Sequence, residues 1–309
     1  ELVLSSAAPI DVTNLPLKTG QVVRAAHGSR AVVRVPAEGW RIEADETRFK
    51  DIDFVATSPD TRSLIELANR RAEFHGCSWQ AAPGGHATAA IEWTSNGAML
   101  GDDDALMRGE LRLSDCLMQQ VGCGVRWPLR GSVLIELANV LHLGPGALVE
   151  YLHAPGGDEA YEIIASHLTL RDASALAICE CQTLPADPGR LIISAKDCAF
   201  IPAAGSGLVM FRGAARPGAL LSALEWMGQG SVLARDAAVV VWCDEQGRMH
   251  PAADDAVQVA GLVRSDVGFA GEKWGGPSAS RIVRWQVPLE STDPPGIRES
   301  KPIPTGALR

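Results

Sequence analysis

Ile91-Glu92-Trp93 is one copy of a short pattern that returns along most of this chain. Trp40-Arg41-Ile42, Ile65-Glu66-Leu67, Val125-Arg126-Trp127, Val149-Glu150-Tyr151, Val209-Met210-Phe211 and Val240-Val241-Trp242 are further copies, and Ala177-Ile178-Cys179 is a weaker one. Each copy sets large apolar residues on either side of one central position, the alternation of a strand with one buried face. The copies start at residues 40, 65, 91, 125, 149, 177, 209 and 240, so the intervals run from 24 to 34 residues. Recurrence at that spacing marks a repeat architecture.

A second apolar set keeps step with the first. Its inward pairs are read as Ile52 with Phe54, Cys77 with Trp79, Cys116 with Met118, Ala138 with Val140, Ser166 with Leu168 and Cys198 with Phe200. Three residues before each pair stands another apolar residue: Phe49, Phe74, Leu113, Ile135, Ile163 and Ala195. Residues two apart share a strand face and residues three apart do not. Each unit therefore bends between the two inward sets, which predicts two strands and a corner per unit. No helical period separates them, which argues against leucine-rich and ankyrin-type repeats. The expected fold is all-β: a right-handed parallel β-helix of about seven to eight coils with an N-terminal cap.

On Arg48-Phe49-Lys50-Asp51-Ile52-Asp53-Phe54, Ala72-Glu73-Phe74-His75-Gly76-Cys77-Ser78-Trp79 and Leu111-Arg112-Leu113-Ser114-Asp115-Cys116, the chain resembles the right-handed parallel β-helix, or pectin-lyase-like, superfamily. The resemblance covers roughly residues 20–245. Leu17-Lys18-Thr19-Gly20-Gln21-Val22-Val23-Arg24 and Leu224-Glu225-Trp226-Met227-Gly228-Gln229-Gly230 resemble, more narrowly, β-helix regions of planctomycete proteins, some described as serine/threonine protein kinases. Kinase activity does not carry over. The chain has no glycine-rich nucleotide loop, no His-Arg-Asp and no Asp-Phe-Gly.

Of the 309 residues, 46% are hydrophobic and 21% charged, a composition that supports a sizeable core and excludes wholesale disorder. The net charge of −9 disfavours binding to a phosphate backbone, so no nucleic-acid partner is expected. No apolar run approaches the roughly 20 residues that a spanning helix needs. The chain begins at Glu1 without Met, and residues 1–12 lack the basic start and apolar run of a signal peptide. The expectation is a piece of a longer protein, with an extracytoplasmic setting one option. Residues 1–290 read as a single domain, with a cap and lead-in strand over 1–38, coils over 39–245 and C-terminal strands over 246–290. Ala31-Val32-Val33-Arg34-Val35 is the lead-in strand. Residues 291–309 read as a Pro-rich, poorly packed tail. Insertions fall at 95–108, 153–160 and Thr183–Gly189.

The central position of the first strand supplies the candidate chemistry: Arg41, Glu66, Glu92, Arg126 and Glu150, then the apolar Ile178, Met210 and Val241. On consecutive strands these side chains line one outer face about 4.8 Å apart. They are the expected ligand-binding residues (Arg41, Glu66, Glu92 and Glu150). Neighbouring carboxylates resist double ionisation without a cation between them, so Glu66 and Glu92 are candidate Ca²⁺ ligands. The loop carboxylates Asp102, Asp103 and Asp104 are a second candidate set. The superfamily resemblance implies Arg126 as a proton-abstracting base, with Glu92 beside it. The plainer alternative is a set of cross-strand ion pairs on a solvated face.

Trp93, Trp127, Tyr151, Phe211 and Trp242 share an inward position and read as an interior aromatic stack rather than a sugar platform. Cys77, Cys116 and Cys198 share one inward position and read as a stack of free thiols serving as small apolar residues. Cys179-x-Cys181 is a weak metal signal with no matching His or Cys pair nearby, and the seven histidines read as turn or surface residues. Three functions stay open. The leading one is a non-catalytic module presenting a rigid face to a polysaccharide or protein partner. The others are a Ca-dependent polysaccharide lyase or glycoside hydrolase, and a structural spacer. The lyase needs the charged face in a groove walled by the insertions. The binding module needs exposed aromatics beside that face. The spacer needs self-paired charges.

Overall fold

A computed structural model of the protein describes residues 1–5, 8–12, 15, 17–85, 88–94, 108–183, 185–213, 218–253, 257–269, 282–284 and 295–298. Among these the regular secondary structure is almost entirely β. Its strands are distributed over three long sheets in a fixed rotation, an arrangement compatible with a β-helix. Sheet A holds nine described strands, from Leu2–Leu4 to Leu224–Gln229, all pairing parallel. Sheet B holds ten, from Ile10–Asp11 to Leu262–Ser265, also parallel. Sheet C runs from Trp40–Ile42 to Ala238–Cys243 in parallel and is closed by the antiparallel Met249–Pro251.

Each repeat therefore carries three strands, where the sequence predicts two. The recurring Ile-Glu-Trp pattern is the sheet C strand. What reads as one bent strand is two, for Phe49 ends on sheet A and Ile52 begins sheet B. A single residue turns the corner between them, and at seven successive corners it is left-handed. Asp51, Gly76, Asp115, Asn139, His167, Asp197 and Gly230 have φ between 53° and 64°. That region favours Gly, Asn and Asp, whose side chains are absent or short and polar. The corner amides continue the inter-strand ladder: Asp115 N–H donates to Ala138 O at 2.9 Å and Asn139 N–H to Ser166 O at 2.9 Å. The corner at Gly76 is tight as well as left-handed, since a Cβ there would lie 2.5 Å from Asp51 Oδ1.

The core lies between the three sheets and is continuous along them. Trp93, Trp127, Tyr151 and Phe211 are fully buried, as the repeat position requires. Trp93 meets Trp127 edge-on at 4.9 Å, and Tyr151 stacks on Tyr161 at 4.5 Å. Trp242, at the end of the row, is only half-buried and stacks on His250 at 5.3 Å. All seven cysteines are free and buried. Burial pushes the Cys116, Cys181 and Cys198 thiols up to about 12, so they pack as apolar groups.

Two inward pairs need correction. Ala138 and Ser166 face outward in register with Ser114, and the inward positions are Val140 with His142 and Leu168 with Leu170. The cause is a period-2 strand interrupted by a one-residue corner, which shifts parity by one. His142 thus occupies the column of Trp79, Met118 and Leu170, fully buried, not a turn or surface. His167 is buried too, at a corner.

Residues 2–35 form four strands, two each in sheets A and B, and not the lead-in strand alone. The expected strand Ala31–Val35 pairs with Ile52–Ala56. At the other end, residues 295–298, the described part of the expected tail, are packed. Gly296 N–H donates to Asp197 O at 2.8 Å, Ile297 N–H to Thr169 Oγ1 at 3.1 Å and Arg298 N–H to Asn139 Oδ1 at 2.7 Å. His167 Nδ1 lies 3.2 Å from Gly296 O, and Ile297 packs on Leu117, Leu141 and Leu143 of sheet B.

Candidate functional site

The outer face of sheet C carries the residues singled out from the sequence. Arg41, Glu66, Glu92, Arg126 and Glu150 are Cα partners on five consecutive strands, followed by Ile178, Met210 and Val241. Their side chains do not form one uniform row. Arg41 turns to Glu43 at 3.0 Å, and Glu66 accepts from Ser63 Oγ at 3.2 Å. Glu92 is 2% exposed. It is held by Arg62 at 2.6 Å and by Arg126 at 3.2 Å. Arg126 in turn donates to Glu150 at 2.8 Å. Glu150 lies 3.6 Å from Arg212, which reaches Glu180 at 2.6 Å. The result is a continuous chain of six charges, Arg62–Glu92–Arg126–Glu150–Arg212–Glu180.

Arg62, Glu180 and Arg212 are missing from the sequence reading. Glu180 and Arg212 follow the inward Cys179 and Phe211 by one residue and are themselves cross-strand partners, a signal the repeat alignment contained. The apolar continuation is not exposed surface. Ile178 and Met210 are each 2% exposed and cluster with Ala147 and Ala175.

The electrostatics favour fixed ions over proton transfer. Burial opposes the charge on Arg126, but its hydrogen bond to Glu150 and the fields of Glu150 and Glu92 outweigh that and raise its pKa. A guanidinium so stabilised is a poor base. Burial raises the Glu180 carboxyl despite the opposing pull of Arg212. The Glu66–Glu92 pair does not fit Ca²⁺, which takes six to eight oxygen ligands. Both Glu92 oxygens already accept from arginine, and the guanidinium charges beside them repel a cation. Among the described residues no group of three or more His, Cys, Asp or Glu is placed to hold a metal. Asp102, Asp103 and Asp104 lie outside the described residues. Of the expected groove walls, residues 95–107 also lie outside them. The 153–160 and Thr183–Gly189 insertions bind each other, through a Gly156–Pro188 bridge and a bond from Gly157 N–H to Asp187 O at 2.8 Å.

A second surface, absent from the sequence reading, is the outer face of sheet A. A shallow groove of about 490 Å³ crosses its strands. Parts of two outward rows line it, from Arg48 to Ile164 and from Lys50 to Ser166. In one, Arg48, Glu73, Arg112, Glu136, Ile164, Ser194 and Met227 are successive Cα partners. Arg48 pairs with Glu73 at 3.0 Å, and Arg112 pairs with Glu136, so these charges neutralise one another. The same row ends in exposed apolar side chains, with Ile164 at 43% and Met227 at 53%. The other row runs Arg24, Lys50, His75, Ser114, Ala138, Ser166, Lys196 and Gln229, without a carboxylate. His75 Nδ1 and Ser114 Oγ are 2.8 Å apart. A second groove of about 490 Å³ lies at the starts of the sheet A strands, with Arg70, Arg71 and Arg108 set against Asp45, Glu46 and Glu110.

The fold thus defines the protein as an all-β chain of three parallel sheets with two charge-bearing outer faces. No family model, curated protein or solved structure matches the chain, so the likeness to pectin-lyase-like proteins and planctomycete β-helix regions gains no support from them. No described helix is long and apolar enough to cross a membrane.

Proposed function

We propose that this chain is a non-catalytic binding module: a right-handed parallel β-helix of about eight coils, capped by residues 1–38, that presents the outer face of sheet A to a protein partner. The eight parallel strands of sheet C support the coil number, and the strong preference for right-handed returns to the same sheet supports the hand. The observation that carries the functional reading is the sheet A groove with Ile164 exposed in its lining, and Met227 exposed two strands farther along the same row. Exposed aliphatic and Met side chains among paired charges are the composition of a protein-recognition surface. A polysaccharide surface is less well served, since none of the large exposed apolar side chains among the described residues is aromatic. On sheet C the self-paired chain around Arg126 supports a structural role for that face.

The test is quantitative mass spectrometry of proteins retained from a source extract by the immobilised chain, by Ile164→Asp/Met227→Asp, and by Arg41→Glu on sheet C. A protein kept by the wild type and Arg41→Glu but lost from the double variant supports the reading. Identical retention by all three overturns it.

A further inference from the structure

Resting on that reading of sheet A, we infer that its acid-free row recognises an extended acidic peptide laid across the strands. The protein carries a net charge of −9, yet Lys50, His75, Ser114, Ser166 and Lys196 occupy one outward row that no carboxylate enters. Lys50 and Lys196 are exposed and have no carboxylate partner among the described residues, whereas the adjacent arginines are spent on Glu73 and Glu136. Ser166 makes no hydrogen bond with another described side chain, and it lies beside Ile164 on the groove wall.

The nearest carboxylates belong to the corner. Asp115 and Asp197 are 8% and 1% exposed, and Asp115 accepts from Asn139 at 2.7 Å. Asp115 also lies 3.6 Å from His75, and the half-buried Asp51 packs over Gly76. Asp115 therefore borders the strip at His75, while the strip positions themselves present ammonium groups at the ends and imidazole and hydroxyl groups between them.

Lys50 and Lys196 are five strand steps apart, about 24 Å at the usual strand spacing, which an extended peptide of about seven residues spans. Acidic side chains near both ends of such a segment would meet the two lysines, and an aliphatic residue between them would meet Ile164. Paired ammonium–carboxylate contacts on an open face act mainly through charge complementarity, so binding falls with ionic strength.

The experiment is fluorescence anisotropy with a labelled peptide of alternating Glu and Leu, against a Lys–Leu peptide, at low salt and on the order of 0.3 M salt. The protein is compared with Lys50→Glu/Lys196→Glu and with Lys50→Gln/Lys196→Gln, each checked by circular dichroism. Polygalacturonate serves as competitor. Binding of the Glu–Leu peptide alone, weakened roughly tenfold or more by charge reversal, less by neutralisation, and by salt, is the expected result. No peptide binding, or binding unchanged in both variants, overturns the inference. Lysine-dependent binding of polygalacturonate without the peptide also overturns it and assigns the strip to an acidic polysaccharide. If the peptide fails while a protein is still lost on Ile164→Asp/Met227→Asp, only the charge inference falls and the module reading stands.

Discussion

At the scale of single residues, burial decides which charges matter. Glu92 is enclosed between two guanidiniums, whereas Arg41, in the same outward row, is exposed and reaches Glu43 and, more weakly, Thr94 Oγ1. Removing a partner from a buried pair leaves the other charge uncompensated, while an exposed pair contributes little. Glu92→Ala is expected to lower stability by about 2 kcal/mol, and Arg41→Ala by less than about 0.5 kcal/mol, in urea denaturation. Equal effects would mean that the six-charge chain does not hold this face. His142 provides the pH test. Burial lowers its imidazole to about 4, against a weaker opposing effect of the bond to Gly146 O. That bond, at 3.0 Å to a carbonyl, requires the proton on Nε2. The unfolded chain takes up its proton near pH 6.5, so this contribution to stability is complete above that value and is lost as the pH falls toward 4. Between pH 7 and pH 4, His142→Leu should gain about 3 kcal/mol relative to the wild type. A constant difference across that range would contradict a buried neutral imidazole.

At the scale of elements, the corner between sheets A and B is the defining device. A one-residue turn keeps the ladder unbroken only if that residue is left-handed, and its side chain then points along the stack of corners. Asn139 does both tasks: its Nδ2 donates to Asp115 Oδ1 at 2.7 Å, and its Oδ1 accepts from the Arg298 N–H at 2.7 Å. Asn139→Gly keeps the backbone at ease and loses the bonds, for about 1 kcal/mol. Asn139→Leu loses the bonds and strains the turn, for about 2 kcal/mol. Thermal unfolding of the two variants separates backbone from hydrogen bonding, and equal losses would mean the turn is unstrained. The corner residues Asp51, Gly76, Asp115, Asn139, His167, Asp197 and Gly230 are themselves a repeat legible in the sequence. They escape a search for apolar periodicity because they are polar or small.

At the scale of the whole molecule, residues far apart in the chain complete the surface. Ile297 lies against Leu117, Leu141 and Leu143, outward positions of sheet B that are at most 2% exposed. Ile297→Asp is expected to speed hydrogen exchange of the Gly296 and Arg298 amides and to cost about 1–2 kcal/mol. Unchanged exchange at those amides would show that Ile297 does not anchor the segment.

From its sequence alone, the chain determined the all-β class, the recurrence of its strands and the interior of Trp93, Trp127, Tyr151 and Phe211. Strand alternation and side-chain size are local properties, repeated often enough to be unmistakable. The sequence also placed Arg41, Glu66, Glu92, Arg126 and Glu150 in one register. Only the tertiary structure decided that Glu92 belongs to Arg62 and Arg126, that Arg212 extends the chain, and that Arg41 and Glu66 stand apart from it. It likewise decided that His142 is in the core, that residues 295–298 seal the corner, and that an acid-free row runs beside Ile164. Ion pairing and burial depend on which side chains meet across strands or across the 159-residue separation of Asn139 and Arg298, and no local pattern encodes those meetings.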